Sequence, residues 1–162
     1  MSLDDVSSAL EKIEKSGKLF ITPFQDIGGI VTGVAYASGD AFGGKFAVLG
    51  IPERGYISSV ILLDKDDEGI ITELWIFDRD FTATADNAAF AISDADLERL
   101  LWVIKITNFV DAANNQVAET NNLELPFIAP DRMFYIQCVT RGVPNIAAGN
   151  IPMISIRGRS QE

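Results

Sequence analysis

The sequence predicts an all-β protein, a β-sandwich of jelly-roll type preceded by a short N-terminal helix and arm. Short apolar segments of strand length recur from residue 28 onward, and clusters of glycine, proline, asparagine and aspartate separate them. Helical periodicity is confined to residues 3–15 and 94–100. The chain has 162 residues, the size of one domain, which allows a sandwich to bury its own core. We therefore expect residues 1–27 to form the helix and arm, and residues 28–162 to form the sandwich.

The N-terminal segment carries apolar residues at helical spacing, and they are Leu3, Val6, Leu10 and Ile13. Ser2 and Asp5 have the spacing of a capping box, which predicts where this helix begins. Residues 18–24 are expected to be extended, because Pro23 disfavours helix in the residue before it.

Two strands are predicted next, over residues 30–36 and 41–49, with a turn at residues 38–40 between them and a bulge at Gly43 and Gly44. The segments 56–63 and 70–77 are almost wholly apolar, and a charged turn at residues 64–69 separates them. They predict a central β-hairpin covered on both faces, with Ile61 and Trp75 in the core.

The remaining strands are predicted over residues 101–109, 116–120, 133–140 and 152–157. Along residues 133–140, Phe134, Ile136 and Cys138 share the inward face. Ser93 and Asp96 form a second capping box and begin the helical turn at residues 94–100.

Composition argues against several functional classes. The formal charge of −10 disfavours nucleic acid as a partner, because phosphate contacts need lysine and arginine. No apolar run reaches the roughly 20 residues of a membrane span. The chain has no histidine, the commonest general base and metal ligand, and Cys138 is its only cysteine. We expect no enzymatic activity, no cofactor and no metal.

Three groups of side chains are candidate sites. The turn at residues 64–69 has the acidic spacing that begins an EF-hand, but Trp75 stands where the bidentate glutamate belongs, so a solvated turn is favoured over a weak calcium site. The aspartates near residues 78–96 are typical of turns and caps. Trp75, Trp102 and the phenylalanines could line a sugar-binding platform, but most occupy strand positions that favour the core. Phe42, Phe81 and Phe109 are expected to be exposed near strand ends, where an exposed aromatic indicates a protein interface before a sugar site.

A resemblance extends over residues 28–159. It is carried by residues 36–41 followed by two glycines, 55–60, 74–77, 86–90, 93–97 and 138–144, whose order resembles small virion proteins of tailed bacteriophages, in particular capsid decoration (cement) proteins. The resemblance implies a structural protein, made in the host cytoplasm, on the outer surface of the phage head. Its implied partners are the major capsid protein and further copies of the chain, as a trimer.

The arm is the predicted protein interface, formed by Leu3, Val6, Leu10, Ile13, Leu19, Phe20 and Phe24. Such a short helix must bury its apolar face on something, either a neighbouring chain or its own sandwich. The alternatives to a decoration protein are a phage tail or fibre component and a carbohydrate-binding β-sandwich module.

Overall fold

The structure, a computed structural model, describes residues 2–8, 17–30 and 32–162. It contains two antiparallel sheets and little helix: residues 3–8 are helical (α1), and a single turn covers Asp94–Leu97 (α2). The strands are β1 (Leu19–Ile21), β2 (Gln25–Asp26), β3 (Ala41–Leu49), β4 (Arg54–Asp64), β5 (Thr72–Phe77), β6 (Leu100–Ile106), β7 (Phe109–Asp111), β8 (Gln116–Thr120), β9 (Leu125–Ile128), β10 (Met133–Thr140) and β11 (Met153–Ser160).

The strand order is that of a jelly roll. The larger sheet runs β1-β11-β4-β8-β7, with β2 also pairing with β11 and β9 also pairing with β4. The smaller sheet runs β3-β10-β5-β6. If β1 with β2 and β8 with β9 are each taken as one interrupted strand, eight strands remain in two four-stranded sheets and β7 adds an edge. The predicted jelly-roll sandwich is confirmed.

The predicted central hairpin is wrong. β4 pairs with β11, β8 and β9 in the larger sheet, whereas β5 pairs with β10 and β6 in the smaller one. The charged segment between them crosses from one sheet to the other. A strand that is apolar on both faces requires cover on both sides, and this requirement does not specify which strand lies beside it.

The charged connection is held by its own carboxylates. Asp64 is buried, and its side chain accepts hydrogen bonds from the backbone N–H groups of Asp66 (3.0 Å) and Gly69 (2.8 Å). Asp66 in turn accepts from the backbone N–H of Ala147 (2.6 Å) and the side-chain amide of Asn150 (2.7 Å). The segment expected to be a solvated turn is therefore tied to the loop before β11.

Two further strand predictions are corrected. Residues 32–34 form a turn, so no strand covers 30–36, and residue 31 lies outside the described part. Positive φ angles at Gly28 (64°) and Gly33 (71°) take this backbone out of the extended region. The strand predicted over 101–109 is two strands in different sheets, β6 and β7.

The core lies between the sheets and includes every inward residue predicted for β10. Phe134, Ile136 and Cys138 are fully buried, as are Ile154 and Ile156 on β11. Ile61 is buried, but it lies on the outward side of β4 together with Leu63, not between the sheets. Trp75 is only half-buried and points to the outer side of the smaller sheet. Phe42 and Phe81 are buried instead of exposed, and Phe109 packs half-buried against the core.

The extended part of the predicted arm belongs to the larger sheet. β1 and β2 both pair with β11, and between them Thr22 donates its backbone N–H to the Ile156 carbonyl (2.9 Å) and accepts the Ile156 N–H on its hydroxyl (2.8 Å). Ile27 is fully buried. Residues 19–27 thus complete the sandwich.

Candidate interaction surfaces

The side chains that could support chemistry are dispersed. Across the described ranges, no three cysteine, aspartate or glutamate side chains are grouped so as to hold a metal ion. Cys138 is fully buried, and desolvation raises the pKa of its thiol, which favours the unreactive protonated form. No helix among these residues is long and apolar enough to cross a bilayer.

The outer side of the smaller sheet is covered by the chain itself. Residues 78–93, which we call the strap, run from the end of β5 to α2 across this face. Phe81 stacks on Phe77 with ring centroids 4.1 Å apart, and Phe90 packs on Trp75 at 5.0 Å. The strap explains why Phe77 is fully buried although it faces away from the core between the sheets.

Buried polar groups fix the strap. The Gln137 side chain, fully buried on β10, accepts from the Thr84 N–H (3.0 Å) and donates to the carbonyls of Thr84 (2.7 Å) and Gly43 (3.1 Å). The Asp86 carboxylate accepts from the Tyr36 hydroxyl (2.8 Å) and the Gly43 N–H (2.7 Å). This face of the sandwich is consequently closed to a partner that needs apolar sheet surface.

An ion pair lies beside the strap at the edge of the same face. Arg141 donates two hydrogen bonds to the Glu73 carboxylate, from Nε to Oε1 (2.9 Å) and from Nη2 to Oε2 (2.8 Å). The bond from Arg141 lowers the pKa of Glu73 below its usual value of 4.5, against a smaller opposing effect of burial. Trp75 adds a longer bond from Nε1 to the same carboxylate (3.3 Å).

We expect Glu73→Gln to lower the free energy of unfolding by about 1 kcal/mol at neutral pH, because a partly exposed charged pair becomes a neutral contact. A carboxyl with a lowered pKa in the folded state stabilises the protein above its unfolded pKa, and the benefit is lost as pH falls through the folded value. The difference between the variant and the parent should therefore fade below about pH 4.5. Urea unfolding at neutral pH and at about pH 3 measures this difference in the free energy of unfolding.

Glu98→Gln is the control, since Glu98 is exposed on the surface near α2. It should change stability little at either pH. A Glu73→Gln protein as stable as the parent at neutral pH would contradict the prediction.

The outer side of the larger sheet has no aromatic strap among the described residues; Ile61, Ser59 and Ser155 at its centre are buried, and the side chains around them are more exposed. Its outward apolar side chains include an in-register row across four strands, from Val110 on β7 through Val117 and Leu63 to Met153 on β11. Val110 is 66% exposed. We call this side the open face; its apolar members are the buried Ile61 and the more exposed Leu19, Ile21, Leu63, Val110, Val117, Ile128 and Met153.

Charged side chains on the open face are balanced and paired. The outward basic residues are Arg54, Lys65, Arg157 and Arg159, and the outward acidic ones are Asp26, Glu119 and Glu124. Each acidic member faces a basic one: Arg159 reaches Glu124 at 2.8 Å, Arg157 reaches Glu119 at 3.8 Å, and Lys65 reaches Asp26 at 3.9 Å. The face is close to neutral, in contrast to the chain as a whole at −10.

The residues predicted as the interface fall into three environments. Leu3 is 86% exposed on α1 and Val6 is also exposed, while Leu10 and Ile13 lie outside the described residues. Leu19 lies on the open face, and Phe24 is exposed between β1 and β2. Phe20 points inward instead, with its ring 6.1 Å from Phe127.

Sequence reasoning missed the rest of the open face. A signal was present in residues 116–120, where Val117 and Glu119 alternate with the buried Ala118. The alternation showed that Val117 points away from the core. It did not show that Val117, Val110 and Met153 line up, because their strands come from distant parts of the sequence.

A groove between β6 and β9 is a further concave feature with polar side chains. Arg54, Asp78 and Gln161 line it together with the apolar Leu101 and Pro126. The Oδ1 atom of Asp78 is buried without a hydrogen-bond partner. Trp102 does not offer a platform for a sugar here, because it is half-buried and its indole N–H donates to the Pro126 carbonyl (2.9 Å).

Comparisons with protein-family models, with curated proteins and with solved structures find no match to this chain. The surfaces described above are therefore the basis for reasoning about function.

Proposed function

We propose that the protein is a non-enzymatic structural component of a tailed-phage particle, which decorates and stabilises the capsid exterior through protein–protein contacts. Its partners are the major capsid protein and further copies of itself, as a trimer. The observation that carries the proposal is the helix α1, whose apolar side chains Leu3 and Val6 are exposed. This helix precedes β1 in the sequence, and the sandwich from β1 onward buries its own core. The resemblance of residues 28–159 to decoration proteins supplies the kind of particle.

The helix has a defined start and an uncovered apolar side. Ser2 donates its backbone N–H to the Asp5 carboxylate (2.8 Å), and the Asp5 N–H donates to the Ser2 hydroxyl (3.2 Å), as the capping box predicts. Leu3 and Val6 nevertheless remain exposed. A short helix gains little stability from local propensity alone, so burial of these residues on a partner is the natural source of its stability.

The sandwich suits a particle surface. Its acidic exterior, at a formal charge of −10, keeps the chain solvated, and the jelly roll recurs among viral capsid and lectin domains. A trimer would present three α1 segments to the capsid at once, and this multivalency would strengthen a weak single contact. A tail or fibre component would need the same features and differs only in its location on the virion.

Deletion of residues 2–16 tests the proposal. The truncation should fold, because the sheet begins at β1, and Gly17 and Lys18 remain to meet the end of β11. Removing β1 as well would damage the larger sheet. We expect the truncated protein to keep its circular dichroism spectrum and to lose cosedimentation with purified phage heads that lack the protein.

A point variant separates the apolar contact from the length of the arm. Leu3→Ser with Val6→Ser should weaken cosedimentation by at least about tenfold, whereas Val34→Ser, at a comparably exposed valine in a loop, should not. Undiminished binding by the truncated protein would disprove the role of the helix. Failure of the intact chain to bind heads, with binding to tails or to glycans instead, would redirect the proposal to one of the alternatives.

A further inference from the structure

We propose that the open face of the larger sheet is the surface through which copies of this chain meet. The occupant is a second copy of the chain, and it is in contact with the row formed by Val110, Val117, Leu63 and Met153. The inference rests on the self-association included in the proposed function, and it is independent of the phage role.

The apolar character of the open face sets it apart from the other side of the sandwich. On the smaller sheet, the strap supplies Phe81 and Phe90 as cover, and Gln137 satisfies the strap backbone. On the larger sheet, Val110 (66% exposed) and Leu19 (69%) are open. Contiguous exposed apolar surface of this kind marks interaction sites in soluble proteins.

Charge selects a second copy as the occupant. Four of the thirteen basic and three of the twenty-three acidic side chains lie on the open face, so it is nearly neutral and the rest of the surface holds the negative charge. In a dimer the same patch meets itself across a two-fold axis, and in a trimer the patches converge on a three-fold axis. Two copies that met through the acidic surface would repel each other in either arrangement. Two copies can approach through the open face, because their acidic surfaces then point away from the contact.

The cross-strand ion pairs favour the same occupant. Arg157 and Arg159 are already paired within the chain, with Glu119 and Glu124, so the face offers no excess of one charge to attract an oppositely charged partner. It is well suited to contact by apolar side chains framed by charges that are paired within the chain, and an apolar centre with a polar rim is the usual anatomy of a protein interface.

The area is sufficient for a specific contact. Five strands at about 4.8 Å spacing are roughly 19 Å wide, and a strand of the length of β11 extends about 27 Å, which gives a plan area on the order of 500 Å². Side chains that protrude from this plane increase the accessible area toward the ~800 Å² that each partner buries in a standard interface.

Sedimentation velocity of the full-length chain tests the inference. The parent protein should sediment as an oligomer over a wide concentration range. Val110→Glu with Val117→Glu should raise the dissociation constant by at least about tenfold, because each copy brings like charges to the contact. Val143→Glu with Leu49→Glu is the matched control, since these residues are 67% and 62% exposed and lie off the open face. The control should leave the mass of the oligomer unchanged.

Cysteine cross-linking provides a second measurement that does not depend on tolerance of new charge. The only native cysteine is buried, so an introduced Val117→Cys supplies the accessible thiol. A short bifunctional maleimide should link copies of Val117→Cys and should not link copies of Val143→Cys.

A parent protein that is monomeric at every concentration would overturn the inference, as would an oligomer that both glutamates leave unchanged. Preferential cross-linking through Val143→Cys would place the contact elsewhere. Binding to phage heads is measured separately, so loss of the proposed particle role would leave this result standing, and the reverse also holds.

Discussion

Ile76→Asp should leave no folded protein, whereas Trp75→Asp, one residue away on the same strand, should fold with reduced stability. Ile76 is fully buried in the core between the sheets, where an aspartate would have no partner for its charge. An unpaired buried carboxylate costs several kcal/mol, which is comparable with the 5–15 kcal/mol that stabilises a typical domain. Trp75 points the other way, toward Phe90 of the strap.

The expected cost of Trp75→Asp is about 2–4 kcal/mol, from the lost contact with Phe90 and from a new carboxylate on the same face as Glu73. Soluble yield, circular dichroism and urea unfolding distinguish the two variants. A cooperatively folded Ile76→Asp protein would show that the assignment of inward and outward faces on β5 is wrong. Complete unfolding of Trp75→Asp would mean that the strap is as essential as the core.

Gln137→Leu should destabilise the protein by about 3 kcal/mol or more and release the strap. The substitution nearly preserves volume, but it leaves three backbone groups without this partner: the buried carbonyl of Gly43 and the partly buried N–H and carbonyl of Thr84. Each unsatisfied buried group costs about 1–3 kcal/mol. The strap can recover part of this loss only by lifting away from β10 into water.

Amide hydrogen exchange across residues 78–93 measures the release, and urea unfolding measures the stability. Exchange should accelerate in the strap before it does so in β10. Gln161→Leu is the control, because Gln161 lies in the exposed C-terminal segment and should tolerate the change. Unchanged protection of the strap in Gln137→Leu would show that the aromatic contacts of Phe81 and Phe90 hold it without the amide.

The groove beside Asp78 and the open face illustrate two different kinds of unsatisfied surface. At Asp78 one buried carboxylate oxygen has no partner, which is a local feature of a single side chain. On the open face the acidic side chains are paired with basic ones, of the described polar atoms there only the Nε atom of Arg157 is buried without a partner, and the exposed area is apolar, which is a property of several strands together. The second kind favours a broad protein contact over a small ligand.

The sequence alone determined the features that depend on a few neighbouring residues. The capping box at Ser2 is present as predicted, and Ser93 caps α2 by accepting the Asp96 N–H on its hydroxyl, because a cap depends only on residues three positions apart. β3, β8 and β10 match their predicted bounds, and Phe134 and Ile136 are buried, because alternation and apolar content are local signals. Together with turn residues between short strands, these signals were enough to predict a jelly-roll sandwich.

The tertiary structure alone decided how distant segments meet. β4 and β5 are neighbours in sequence but belong to opposite sheets, since apolar strands can pair with any edge that buries both of their faces. The strap covers Trp75 and Phe77 with Phe90 and Phe81, and it is held by hydrogen bonds between Thr84 and Gln137, which are 53 residues apart, so local periodicity does not encode the connection. The open face likewise exists only because β7, β8, β4 and β11 align Val110, Val117, Leu63 and Met153, and the order of the strands fixes that alignment.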